Sequence, residues 1–101
     1  MQIRAVNSSS FSAYRKKDYG TGRCRLHHDL FQILGINTGW VLKLSISSDS
    51  SQTFSCICTA WPDASNLLMA HHICVDDTVR FGDIVGDREY DWTDGICDVS
   101  S

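Results

Sequence analysis

The sequence predicts a small all-β domain, β-rich with one short helix, closed into a single barrel. Three observations predict it. Residues 40–61 alternate apolar and polar side chains over two successive runs, the period of strands with one buried face. A pattern of β-branched, x, x, Gly, x, β-branched occurs at Ile36–Val41 and again at Val79–Ile84, with Gly39 and Gly82 43 residues apart. Such an echo fits two related ββ units wrapped together. The third observation is size: 101 residues, 43% hydrophobic and 21% charged, can bury one modest core and no second one.

Residues 1–21 are rich in Ser, Gly and charge, with Ser8-Ser9-Ser10 and Gly20-Thr21-Gly22 reading as flexible linker. They are expected to be a disordered N-terminal tail. Arg23-Cys24-Arg25-Leu26 alternates as a first short strand. His28–Leu34 reads as a helix, because Leu30, Ile33 and Leu34 share one face. Asp29 suits the positive end of its dipole, and Gly35 follows as a left-handed cap. Two turns are not stable alone, so packing on a sheet must hold it.

Ile36–Trp40 is a turn into the strand Trp40–Ser47, where Leu42, Leu44 and Ile46 share a face. A polar loop leads to the strand Thr53–Trp61, which Pro62 stops because it has no N–H for the ladder. Leu67–Val75 reads as another strand, and Thr78–Val85 as a turn into a last one. The expected division is a barrel over residues 22–86, followed by an acidic C-terminal tail, 87–101.

Charge is split. Residues 1–25 carry Arg4, Arg15, Lys16, Lys17, Arg23 and Arg25 against Asp18, whereas residues 76–98 carry eight acids against Arg80 and Arg88. The basic end is too poor in aromatic residues for a nucleic-acid module, so nucleic acid is not the favoured partner. No run approaches the roughly 18 apolar residues of a membrane span. The N-terminus lacks the apolar core of a signal peptide, and five cysteines are an odd count. Both features lead us to expect free thiols and a cytoplasmic chain, with the nucleus also open to it.

The order of short motifs resembles the N-terminal double-psi β-barrel half-domain of type II AAA ATPases related to Cdc48. The stretches that carry the resemblance are Cys24-Arg25-Leu26, Leu34-Gly35, Gly39 with Leu42-Lys43-Leu44-Ser45, and Cys56-Ile57-Cys58-Thr59-Ala60-Trp61-Pro62. The last is most similar to the AFG2 branch, the spermatogenesis-associated protein 5-like members. The resemblance covers about residues 22–85. It implies a small double-psi β-barrel, a non-catalytic N-domain that recruits substrates or adaptors to an ATPase ring, and a connection with ribosome biogenesis. This chain differs from the family in having Trp40 where an Asp often follows the turn glycine, and in the acidic segment after Val85.

The candidate partner-binding residues are Trp61 and Pro62, at a strand end, with Asp87, Glu89 and Asp91 in the acidic run. The chain has no Gly-x-x-x-x-Gly-Lys-Ser/Thr loop, so it is not expected to hydrolyse nucleotides itself. No catalytic residue, cofactor or metal is assigned. Asn37-Thr38-Gly39 is similar to the Asp-Thr-Gly of aspartic proteases, but Asn37 cannot ionise and that mechanism needs two carboxylates sharing a proton. The alternative is a small cysteine- or metal-dependent enzyme using Cys56-x-Cys58 with His71-His72, or a basic-tailed nucleic-acid-binding module. Strand geometry places both thiols on one face, where the favoured reading is that they are small hydrophobic residues on one side of a barrel strand. His27-His28 and His71-His72 read as surface or interface histidines.

Overall fold

A computed structural model describes residues 1–47, 52–83, 88–90, 92 and 94–100. The strands are β1 (Gln2–Asn7), β2 (Arg23–Leu26), β3 (Val41–Ser47), β4 (Thr53–Pro62), β5 (His72–Val75), β6 (Phe81–Gly82), β7 (Glu89–Tyr90) and β8 (Asp94–Ser100). Among the described residues two helices join them, α1 (Ser12–Asp18) and α2 (His28–Leu34), with one 3-10 turn at Ser8–Ser10. Among the described residues, no helix is long and apolar enough to cross a membrane.

Six strands lie in the order β2-β5-β1-β8-β3-β4, and β2 pairs with β4 to close the barrel. The pairing repeats about a pseudo-two-fold axis. Asn7 pairs with Val75 in the parallel ladder of β1 and β5, as Pro62 pairs with Leu26 in the parallel ladder of β4 and β2. Gln2 pairs with Asp98 across β1 and β8, as Ile57 pairs with Lys43 across β4 and β3. A shift of 55 positions therefore carries β1 onto β4 and β3 onto β8, and one of 49 carries β2 onto β5. The two interlocked parallel ladders give the double-psi barrel its crossing. The Gly39–Gly82 echo is not this relation. Gly39 turns the chain at φ +87, a conformation that suits a residue without Cβ, whereas Gly82 lies in β6 opposite Ser55.

The inward positions are those the alternation implied. Leu42, Leu44, Ile46, Phe54, Cys56, Cys58 and Ala60 are buried, joined by Ile3, Ala5, Cys24, Leu26, Ile73, Val75, Cys97 and Val99. The helix α2 closes one end through Leu30, which is wholly buried and contributes on the order of 2 kcal/mol. Gly35 caps it at φ +67, as expected. At the opposite end of β4, Phe54 meets Tyr90, and Phe81 meets Trp92 edge-on at 5.0 Å.

The two expected tails are corrected. Residues 2–7 are a barrel strand between β5 and β8, because Ile3 and Ala5 alternate inward there. The rest of the expected tail packs outside the barrel. Tyr14 of α1 covers Leu68 and Cys74, and the buried Asp18 holds both Nε and Nη2 of Arg25, at 3.0 and 2.9 Å. Asp76, 1% exposed, ties down the Gly20–Gly22 loop by accepting the N–H groups of both glycines. The barrel also does not end at residue 86. Most of the presumed acidic tail that is described is β8, whose Cys97 and Val99 face inward between β1 and β3 while Asp94 and Asp98 face out. The expected strand at Leu67–Val75 is shorter, starting at His72.

Candidate functional site

Outward-facing positions on a barrel strand are normally polar. On β4 they are Thr53, Ser55, Ile57, Thr59 and Trp61, and on β3 they are Val41, Lys43, Ser45 and Ser47. Val41 lies opposite Thr59 and Lys43 opposite Ile57, so Val41 and Ile57 are diagonal neighbours. Val41 is 55% and Ile57 69% exposed. Apolar side chains at two adjacent outward positions make a patch that barrel packing does not require.

Aromatic residues extend it. Gly39 N–H donates to the Ala60 carbonyl at 2.7 Å, and Ala60 N–H donates to the Trp40 carbonyl at 2.9 Å. These bonds clamp the turn to β4 and leave Trp40 beside it, 45% exposed. Trp61 is fixed by its Nε1–H, which donates to Thr59 Oγ1 at 3.0 Å. The Arg23 guanidinium lies 4.6 Å from the centre of its ring, a cation–π distance. Pro62 ends β4, and its carbonyl accepts from Arg25 Nη1 at 3.3 Å. The face thus combines Val41, Ile57 and Trp61 with the cations Arg23 and Lys43, and Trp40 stands exposed at the turn where β3 begins.

Only part of the sequence-predicted site comes together. Trp61 and Pro62 sit at one end of β4. Glu89 lies in β7, which pairs with β6, which in turn meets β4 at Ser55. Six strand positions from Ser55 to Trp61 place the two regions about 20 Å apart. Glu89 is exposed, with Arg80 Nε 4.0 Å from its carboxylate. Asp87 and Asp91 fall outside the described residues, as does most of the Ser47–Gln52 loop. Sequence reasoning missed Val41 and Ile57. Their signal was present: both are large apolar residues at the polar phase of a clean alternation.

The alternative cysteine–histidine site is not assembled. Cys56 and Cys58 point into the barrel, whereas His72 pairs with Arg4 on the far side and its neighbour Ile73 takes the inward position. All five cysteines are free and buried. The Cys56 thiol is pushed up by its hydrogen bond with Cys58 and by burial, and Cys58 chiefly by its hydrogen bond with Cys24. Burial lifts Cys97 to about 12, with added repulsion from Cys56 and Asp98. Cys56, Cys58 and Cys97 are protonated core thiols, far from the lowered values of reactive cysteines.

Comparison with solved structures supports this architecture. The fold is similar to the crystal structure of the computationally designed protein msDPBB_sym2, a double-psi β-barrel, with a TM-score of 0.60 over 98% of this chain and 96% of that one at 14% identity. No protein-family model and no curated protein matches the chain. The domain is therefore a mostly-β, closed six-stranded barrel of the double-psi kind.

Proposed function

We propose that this chain is a non-catalytic protein-binding domain that holds an extended segment of a substrate or adaptor on the outer face of β3 and β4. The observation that carries the reading is the exposed pair Val41 and Ile57, flanked by Trp40 and Trp61. Two cations, Arg23 and Lys43, border the face, so the segment it suits carries apolar side chains interspersed with acids. Glu89, with Asp87 and Asp91 near it in sequence, would steer basic parts of the same partner toward the far end of β4. In its finer form the domain acts in the cytoplasm as the N-domain of a Cdc48-like ATPase of the AFG2 branch, delivering clients to the ring during ribosome biogenesis. The quoted motifs and the double-psi architecture support that form.

The test uses a photo-crosslinking residue at position 57, with position 33 on α2 as a control of similar exposure. Position 57 should trap one defined protein through an acidic, apolar segment, and Trp61→Ala should abolish the adduct without moving the thermal midpoint by more than a few degrees. Equal labelling from positions 57 and 33 refutes the site. A trapped AAA ATPase or ribosomal client supports the finer form, and an unrelated specific partner rejects that form alone.

A further inference from the structure

Three metal-binding side chains meet where β2 passes into α2. The ligand atoms of His27, His28 and Asp29 all lie within 4.8 Å of one another, the one such group of three among the described residues. His27 Nδ1 is 3.6 Å from one carboxylate oxygen of Asp29, and His28 Nε2 is 3.2 Å from the other. The local fold holds them there. His27 is the N-cap of α2, its Nδ1 accepting the Asp29 N–H at 3.2 Å. The two imidazoles stack with centroids 4.2 Å apart. Leu30, the next residue, anchors the turn in the core. His28 and Asp29 side chains are 67% and 60% exposed, so an ion can reach them from solvent.

These spacings match a shared ion. Two donors bound at about 2.1 Å to one metal sit roughly 3.0 Å apart at a right angle and roughly 3.4 Å apart at the tetrahedral angle. The two histidine-to-carboxylate separations lie within a few tenths of an ångström of these values, whereas the histidine nitrogens, within 4.8 Å of each other on stacked rings, reach a common ion by rotation of the exposed His28 ring. We propose that His27, His28 and Asp29 form a surface site for a borderline divalent transition-metal ion of the zinc, nickel and copper class, with water completing the shell. Two imidazoles and one carboxylate suit those ions, whereas calcium and magnesium want oxygen ligands. An ion on His27 Nδ1 takes the lone pair that now accepts the Asp29 amide, so binding exchanges a cap hydrogen bond for a chelate across the helix start. Sequence alone does not single out these two histidines, because adjacent residues in an extended chain point apart; the start of the helix brings them together.

The test titrates the folded, thiol-reduced full chain with zinc chloride in a non-chelating buffer, by calorimetry and by amide NMR. One ion per chain should bind, and the Asp29 and Leu30 amide signals should move while those of Leu44 and Ile73 stay. Magnesium chloride should move neither pair. His28→Ala and Asp29→Asn should each weaken binding by at least roughly tenfold, the effect that even outer-shell changes produce at metal sites. Both positions are exposed, so the metal-free thermal midpoints should match wild type within a few degrees. Absence of saturable binding overturns the proposal. So does binding unaffected by either substitution, or shifts confined to His71, His72 or the cysteines.

Discussion

Replacing Asp76 with Asn should destabilise the barrel strongly at neutral pH and less in acid. One carboxylate oxygen of Asp76 accepts the N–H groups of Gly20 and Thr78, at 3.2 and 3.0 Å. The other accepts the Gly22 N–H at 2.8 Å and the Thr78 hydroxyl at 3.0 Å. Burial alone would raise its pKa, but the donors on Thr78, Gly22 and Gly20 outweigh it and hold the group below its ordinary 3.8. An Asn keeps one acceptor oxygen and turns an NH2 toward the remaining donors. Leaving about two part-buried donors unmet, at about 1–3 kcal/mol each, costs about 3 kcal/mol after partial relaxation. At about 4–8 °C per kcal/mol for a domain near this size, the midpoint falls by about 12–24 °C. The pH sign follows from the lowered pKa. The stabilisation is complete above 3.8, the unfolded-state value, and is lost as pH falls through the lower folded value. Urea denaturation of wild type and Asp76→Asn from about pH 7 to about pH 2 measures the gap at each step. A gap below about 0.5 kcal/mol at neutral pH, or one that stays constant into acid, refutes the reasoning.

Asp18→Asn should cost about 3–5 kcal/mol because it strands the buried Arg25 guanidinium, and adding Arg25→Met should restore most of the loss. Chemical denaturation of the two variants decides this, and additive losses would contradict it. Deleting residues 1–8 should leave no cooperative thermal transition by circular dichroism, since β1 lies between β5 and β8; a folded deletion variant would restore the reading of this segment as a tail. Cys97, raised from 9.0 to about 12, favours the folded state fully below pH 9.0, and that support is lost as pH rises toward 12. Cys97→Val should therefore flatten the alkaline fall in stability by about 1.4 kcal/mol per pH unit, and an unchanged slope in alkaline denaturation would exclude Cys97 as a contributor.

What the sequence disclosed depended on how many turns of a period each segment completes. The strands β3 and β4 offered three and four inward positions in phase, and α2 offered Leu30 and Leu34 with its glycine cap, so all three were legible, although Ile33, read as part of the buried face of α2, is exposed and Phe31 packs against the core instead. In β1 only Ile3 and Ala5 mark the buried face, and Ala5 is too small to stand out next to the polar residues around it. In β8 only Cys97 and Val99 do, among acids that made the segment read as solvated. The helix α1 has no apolar stripe. It is held by Tyr14, whose hydroxyl bonds Asp63 and Ser65, 49 and 51 positions on, and by the Asp18–Arg25 fork, which spans the Gly20–Gly22 turn; no helical or strand period marks either contact. The candidate site was half legible. Trp61 stood out as an aromatic at a strand end, and the alternation placed Val41 and Ile57 at outward positions, but that the two are neighbours depends on the register of β3 against β4, which alternation alone does not supply.

The pairing of β1 has a consequence for how the protein is made. Its partners are remote: Arg4 pairs with His72, 68 positions on, and Ile3 with Cys97, 94 positions on. During synthesis the first strand emerges with both edges open and Ile3, Ala5 and Val6 unaccompanied, and it stays so until almost the whole domain has left the ribosome. Local steps such as the β3–β4 hairpin and α2 can form early, but ring closure cannot. Topologies dominated by distant pairings fold slowly and keep sticky edges exposed for longer. The nascent chain is thus most vulnerable at its N-terminal strand, and a chaperone that shields extended apolar segments at the exit tunnel would raise the yield of folded barrel by masking those first seven residues.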